Sequence, residues 1–210
     1  MTENNAPVPI GGRGIVLHSL EEMQRFAKLV LASNMAPKHY RQGNTTQQIA
    51  NVCVALQYGL ELGLTPMQAL QGVAVINGKP TVYGDTLLAL CYASGLVESF
   101  DEKVDGGGDN RAGTCSVVRK GVKNPIVRMF SITQAKKAGL WGRPGPWTQY
   151  SDRMLQMRAR TFALRDAFAD YLRGVISAEE AQDYPEEEPR ETESTTIPVD
   201  TTPEEGNHEE

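Results

Sequence analysis

WGRPGPWTQYSDRMLQMRARTFALRDAFADYLRG, Trp141 to Gly174, is the stretch on which the fold turns. Gly142, Pro144, Gly145 and Pro146 exclude helix interior, so this part reads as a bent connector with an indole, Trp141 or Trp147, at each end. A helix is then expected, with Ser151 as N-cap and Asp152 suited to the positive N-terminal end. The run to Phe168 contains neither Gly nor Pro. At about 100° per residue, Met154, Met157, Thr161, Leu164 and Phe168 share one stripe, and Leu155 and Phe162 form a second, roughly 120° away. Arg158 and Arg165 fall between the two, while Arg153 and Arg160 flank the first stripe on its other side. Arginines that border an apolar surface lie near a packed layer and need anionic partners there. Two kinds of partner are open: phosphate, or the chain's own carboxylates, of which Asp166, Asp170 and Glu61 are candidates.

Outward from this helix the charge divides. The net charge of −5 averages two unlike parts. From Ala178 to Glu210 thirteen acidic residues stand against one basic residue, Arg190, a charge of −12; Met1 to Ser177 carries twenty basic against thirteen acidic, +7. The basic part is expected to attract polyanions. The acidic part, poor in apolar residues, is expected to be a disordered tail, either a solubility device or a functional arm. The 210 residues hold no long apolar run and no signal-peptide pattern, which predicts a soluble intracellular protein with no membrane partner. Cys53, Cys91 and Cys115 are odd in number and without CxxC spacing, and His18, His39 and His208 are scattered, so neither a disulfide framework nor a metal site is expected.

Upstream, Met1 to Gly14, with Pro7 and Pro9, reads as a flexible arm. Ser19 and Glu22 form a capping-box pattern ahead of a helix to about Ser33. The Asn34–Gly43 loop presents Lys38, Arg41 and Tyr40, either as a nucleic-acid contact or as a solvated loop. Helices are expected over 45–62, ended by Gly63, and from Thr65-Pro66 to Gly72. Val73–Ile76, Asn77-Gly78 and Thr81–Tyr83 predict a hairpin with Lys79 at its tip. A helix over 86–94 follows, then strands over 96–104, 113–119 and 126–130, then a short helix over 132–138 capped by Ser131. Acidic Glu98, Asp101 and Glu102 are expected to pair across the strands with Arg119, Lys120, Lys123 and Arg128. Gly106-Gly107-Gly108 lacks the Lys-Ser/Thr and helix start of a phosphate loop and reads as a turn. The order predicts an α+β fold: a small antiparallel sheet, hairpin plus three-stranded meander, packed with helices, with a long C-terminal helix. The expected organisation is an arm over 1–14, one domain over 15–177 and a disordered acidic tail over 178–210.

Three segments carry a resemblance: Gly59-Leu60-Glu61-Leu62-Gly63-Leu64-Thr65-Pro66-Met67-Gln68-Ala69-Leu70, the hairpin Val75–Pro80 with Gly84-Asp85, and Gly145-Pro146-Trp147 through Arg158-Ala159-Arg160 to Arg165-Asp166. Over about residues 20–174 the chain resembles the RecT family of phage single-strand annealing recombinases. The resemblance implies ATP-independent annealing of complementary strands by a ring or filament of subunits in the cytoplasm of a bacterial host, in DNA recombination and repair. It implies a phage exonuclease and host single-strand-binding protein as partners, and no cofactor. Many relatives have a folded C-terminal portion where this chain has its acidic tail.

Annealing needs phosphates held by charge and bases left accessible, without sequence reading. The candidate DNA-binding residues are Arg153, Arg158, Arg160 and Arg165 on the helix, Lys136, Lys137, Arg143, Trp147 and Tyr150 around the connector, and Lys79 on the hairpin. Trp141 joins them as a stacking platform, and Trp141 and Trp147 are alternatively core plugs. A metal-dependent nuclease is a second reading: Asp85, Asp101, Glu102 and Lys103 follow the order of a restriction-type core, although a predicted helix separates Asp85 from the others. A structural or regulatory binding module is a third.

Overall fold

The computed structural model describes residues 10–11 and 14–184. Expectations for 1–9, 12–13 and 185–210 lie outside the described residues. Where the loose arm was expected to end, β1 (Ile10–Gly11) pairs antiparallel with β2 (Gly14–Ile15). Helix α1 (Leu20–Ala32) starts on Ser19, whose side chain accepts from the Glu22 N–H. The reciprocal arm of the expected capping box is displaced by one residue, since the Glu22 carboxylate accepts from the His18 N–H at 2.6 Å. A 3-10 turn at Lys38–Arg41 leads to α2 (Thr45–Glu61), capped by a complete Asn44–Gln47 box, and α3 (Pro66–Gly72) begins at Thr65-Pro66. Tyr40 is buried, not presented to solvent; its hydroxyl donates to the Val73 carbonyl at 2.7 Å and ties this turn to the hairpin.

Strands β3 (Val73–Ile76) and β4 (Lys79–Val82) form the hairpin, with Asn77 at φ 50° and Gly78 at φ 71°, the two positive values that the tight turn requires. Helix α4 (Gly84–Ala93) follows, then the meander β5 (Val97–Asp105), β6 (Ala112–Arg119) and β7 (Ile126–Ser131), antiparallel in that order. Ser131 and Gln134 cap α5 (Ile132–Lys137). Within the connector a short α6 (Pro146–Gln149) precedes α7 (Ser151–Ala167). Ser151 does not cap α7; it is the first helical residue, and Tyr150, at φ −136° and ψ 46°, occupies the cap without a side-chain bond. Short α8 (Ala169–Leu172) ends on Arg173 in the left-handed region, and α9 (Ala178–Ala181) follows.

The fold is α+β, a hairpin and a separate three-stranded antiparallel meander packed with helices. Register puts Phe100, Glu102, Cys115, Val117, Ile126, Arg128 and Phe130 on one face of the meander, and that face lies on α7. Helix α4 and α9 pack on α7 elsewhere, so Leu155, Ala159, Ala163 and Leu164 are fully covered although the helix carries four arginines. Gly113 permits the closest approach: a Cβ there would stand 2.5 Å from the Leu155 carbonyl group.

The expected start of the disordered tail at Ala178 is corrected. Ala178 and Ala181 are buried, the Val82 N–H donates to the Ile176 carbonyl at 3.1 Å, and Ser177 bridges Val82 in parallel. Small side chains in this segment fit against α7 and the hairpin, and its acids meet arginines. Folded structure therefore extends at least to Tyr184.

Candidate nucleic-acid interface

Arg160 projects from α7 into the layer between helix and meander and is 3 % exposed. Its Nε donates to Glu102 Oε2 at 2.8 Å, its Nη1 donates to Asp85 Oδ1 at 2.6 Å, and its Nη2 also reaches Glu102. Burial opposes the charge, and the bonds to Glu102 and Asp85 outweigh it, so the guanidinium is held above its ordinary value. Asp85 is shared with Arg153, which contacts both its oxygens at 2.9 and 3.0 Å. Partial burial of Asp85 is likewise outweighed by Arg160 and Arg153, and its carboxyl lies below the ordinary range. On the far side of α7, Arg165 donates to both oxygens of Glu180 at 2.8 and 2.9 Å. Arg158 lies beside the edge-to-face pair of Phe130 and Phe162, 5.6 and 5.7 Å from their centroids, with Asp183 at 3.0 Å and Glu180 at 3.9 Å.

All four candidate arginines of α7 are thus engaged by the chain's own carboxylates. The partners differ from those the sequence suggested: Asp85, Glu102, Glu180 and Asp183 serve, while Asp166 pairs with Arg128 and Asp170 with Arg119. The expected pairing across the meander is corrected for the same reason. Arg119 and Arg128 share the sheet face that meets α7 and turn to helix acids, and Arg111 at the start of β6 takes Asp152 in the same way.

Around the connector the candidates separate. Trp147 is a core plug, 4 % exposed, with its ring 6.2 Å from that of Phe130 and its Nε1 donating to Asp183 Oδ1 at 3.0 Å. Tyr150 is 67 % exposed and Trp141 is half-buried. Lys137 and Arg143 are exposed; Lys136 is exposed with Asp109 at 2.6 Å, and Arg143 Nε donates to the Gly139 carbonyl at 2.8 Å. Lys136, Lys137, Arg143 and Tyr150 form an exposed basic and aromatic rim along 136–150, with Trp141 beside them packed partly against the core. Lys79 is exposed on the hairpin, remote in sequence from this rim.

The nuclease constellation is not assembled. Asp101 and Lys103 alternate with Glu102 along β5 and so fall on the opposite face of the meander, where Lys103 bridges Asp105 at 2.6 Å. Asp85 and Glu102 do converge, but onto a guanidinium, and no group of three or more His, Cys, Asp or Glu among the described residues is placed to hold a metal ion. Among those residues, too, no helix is long and apolar enough to cross a membrane.

The sequence reading missed Glu180 and Asp183 as structural partners. Their signal was present in Ala178-Glu179-Glu180-Ala181-Gln182-Asp183, a helical pattern with small residues three apart, but the run of acids after it masked that signal. Comparison of the sequence with protein-family models and with curated proteins finds no match in either.

Proposed function

We propose that this chain binds single-stranded DNA without reading its sequence and anneals complementary strands without nucleotide hydrolysis, acting as a homo-oligomer. The observation that carries this reading is the 136–150 rim, where Lys136, Lys137 and Arg143 are interleaved with exposed Tyr150 and half-buried Trp141. Cations beside aromatic faces hold a phosphate backbone and stack bases, at about 1–3 kcal/mol per base, whatever the sequence. The resemblance of residues 59–70, 75–85 and 145–166 to the RecT family supports the same activity. One domain of this size covers few nucleotides, so annealing calls for several copies along the strands. The setting would be a bacterial cytoplasm, with a phage exonuclease supplying single strands and host single-strand-binding protein coating them.

The test is annealing of two complementary oligonucleotides by the purified full chain without ATP, beside the Lys137→Ala/Arg143→Ala/Tyr150→Ala variant. These side chains are exposed, so the variant should melt like the parent. Loss of two phosphate contacts should reduce the slope of log affinity against log salt by roughly 1.4. Failure of the parent to anneal, or an unchanged salt slope in the variant, would refute the proposal.

A further inference from the structure

Two arginines of α7 face a segment that the rest of the fold holds by two buried alanines and by its carboxylates. Ile176 and Ser177 are fixed by the main-chain bond to Val82 and by the Thr161 hydroxyl, which donates to Ser177 Oγ at 3.1 Å. Beyond that anchor, Ala178 and Ala181 are the buried apolar groups of α9, and the remaining contacts are acidic. Glu179 accepts from the Gly84 N–H, at the start of α4, at 3.0 Å. Glu180 takes both bonds of Arg165 and one from the Tyr184 hydroxyl at 2.7 Å. Asp183 takes Trp147 Nε1 and lies 3.0 Å from Arg158. The fit is incomplete: Arg158 and Asp183 are almost fully buried and Asp183 Oδ2 meets Arg158 Nη2 as an ion pair at 3.0 Å without a hydrogen bond, while Arg158 Nε has no hydrogen-bond partner.

Carboxylates on two guanidiniums and a helix-start N–H occupy positions that phosphate oxygens also satisfy. Arg158 keeps an unused Nε–H beside two aromatic rings, and a phosphodiester offers two anionic oxygens in tetrahedral array with which to meet it. Segments held by ion pairs with little apolar burial exchange readily against a competing polyanion, because the competitor restores the pairs that release breaks.

We propose that 178–184 is a displaceable acidic strap over an anion site formed by Arg158 and Arg165, and that a nucleic-acid backbone takes the place of Glu180 and Asp183 there. The identity of the anion rests on the single-strand reading above; the site itself does not. Ser177 is the hinge. The strap covers Arg158 and engages the partly exposed Arg165 until a strand, first captured by the 136–150 rim, offers phosphates in sufficient local concentration.

The experiment is amide hydrogen exchange across 176–184 in the full chain at low salt, alone, with a thymidine oligonucleotide and with inorganic tripolyphosphate. Affinity for the oligonucleotide is measured in parallel for the parent and for Glu180→Gln/Asp183→Asn. Exchange of the 178–184 amides should rise at least several-fold on saturation with the oligonucleotide while that of α7 does not, and the double variant should bind about tenfold more tightly. If the oligonucleotide binds and 178–184 exchanges no faster, the strap is a fixed part of the fold and the inference falls while the single-strand proposal stands. If the oligonucleotide does not bind but tripolyphosphate releases the strap, the anion site stands and the single-strand proposal falls. Should the double variant unfold, exchange in the parent decides alone.

Discussion

Replacing Arg160 with Met separates structural from ligand-binding roles of the α7 arginines. Met keeps much of the stem's volume and removes the guanidinium, leaving Glu102, whose side chain is 15 % exposed, with Gln156 as its remaining partner. Asp85, 73 % exposed, returns largely to water and contributes little to the loss. An unpaired carboxylate in a packed layer costs about 3–5 kcal/mol. For a body of this size each kcal/mol moves the midpoint by about 2–4 °C, so Tm should fall by about 6–20 °C. Arg153→Met is the control, because both partners in its bridge to Asp85 are well exposed and such pairs contribute about 0–1 kcal/mol. Adding Glu102→Gln to Arg160→Met should recover most of the loss, since it removes the stranded charge. Urea and thermal unfolding followed by circular dichroism read all four proteins. A loss below about 1 kcal/mol for Arg160→Met, together with weakened single-strand binding, would refute the buried-pair assignment and return Arg160 to the DNA interface.

Three further outcomes follow from particular contacts. Gly113→Ala should cost about 1–3 kcal/mol or more by urea unfolding, because its Cβ would meet rigid main chain at Leu155 where no side chain can give way; a neutral effect would mean that α7 does not sit on β6 as described. Asp170 and Asp183 should act oppositely with pH. The hydrogen bonds from Arg119 hold Asp170 down to about 2 against an ordinary 3.8, so its contribution is present above pH 4 and lost as pH falls toward 2; Asp170→Asn should remove that part of the acid limb. Burial raises Asp183 despite Trp147 and Arg158, so its contribution is present when protonated and lost as pH rises. Stability should shift in favour of Asp183→Asn as pH climbs from 4 to 7, and urea midpoints that stay parallel to the parent would exclude this. Truncation after Ser177 should destabilise the body by stranding Arg158 and Arg165, whereas truncation after Tyr184 should leave Tm unchanged. The shorter cut removes ten acidic residues and one basic, a charge of −9, and should raise low-salt affinity for single strands; equal affinity would leave 185–210 without a role in binding.

The elements that sequence alone determined are those whose decisive bonds close within a few residues. Ser19 with Glu22, Asn44 with Gln47, Thr65-Pro66, Asn77-Gly78 and Ser131 with Gln134 each fix a helix start or a turn locally, and together they set the α+β order. Alternation along β5 likewise assigns Asp101 and Glu102 to opposite faces once the strand is known. The arginine spacing on α7 placed these residues beside the core but left their partners open, because the acids that meet Arg160 are 58 and 75 residues away in the chain. Only tertiary structure brings β5, α4 and the 178–184 segment against one helix and decides that carboxylates, not solvent, face the guanidiniums. The tail shows the same limit. Its composition describes a segment too polar to build a core, yet two alanines and three carboxylates suffice to fold 178–184 when a surface of matching shape and opposite charge already exists. Composition reports what a segment can bury by itself; the free energy of docking belongs to the segment and the surface together.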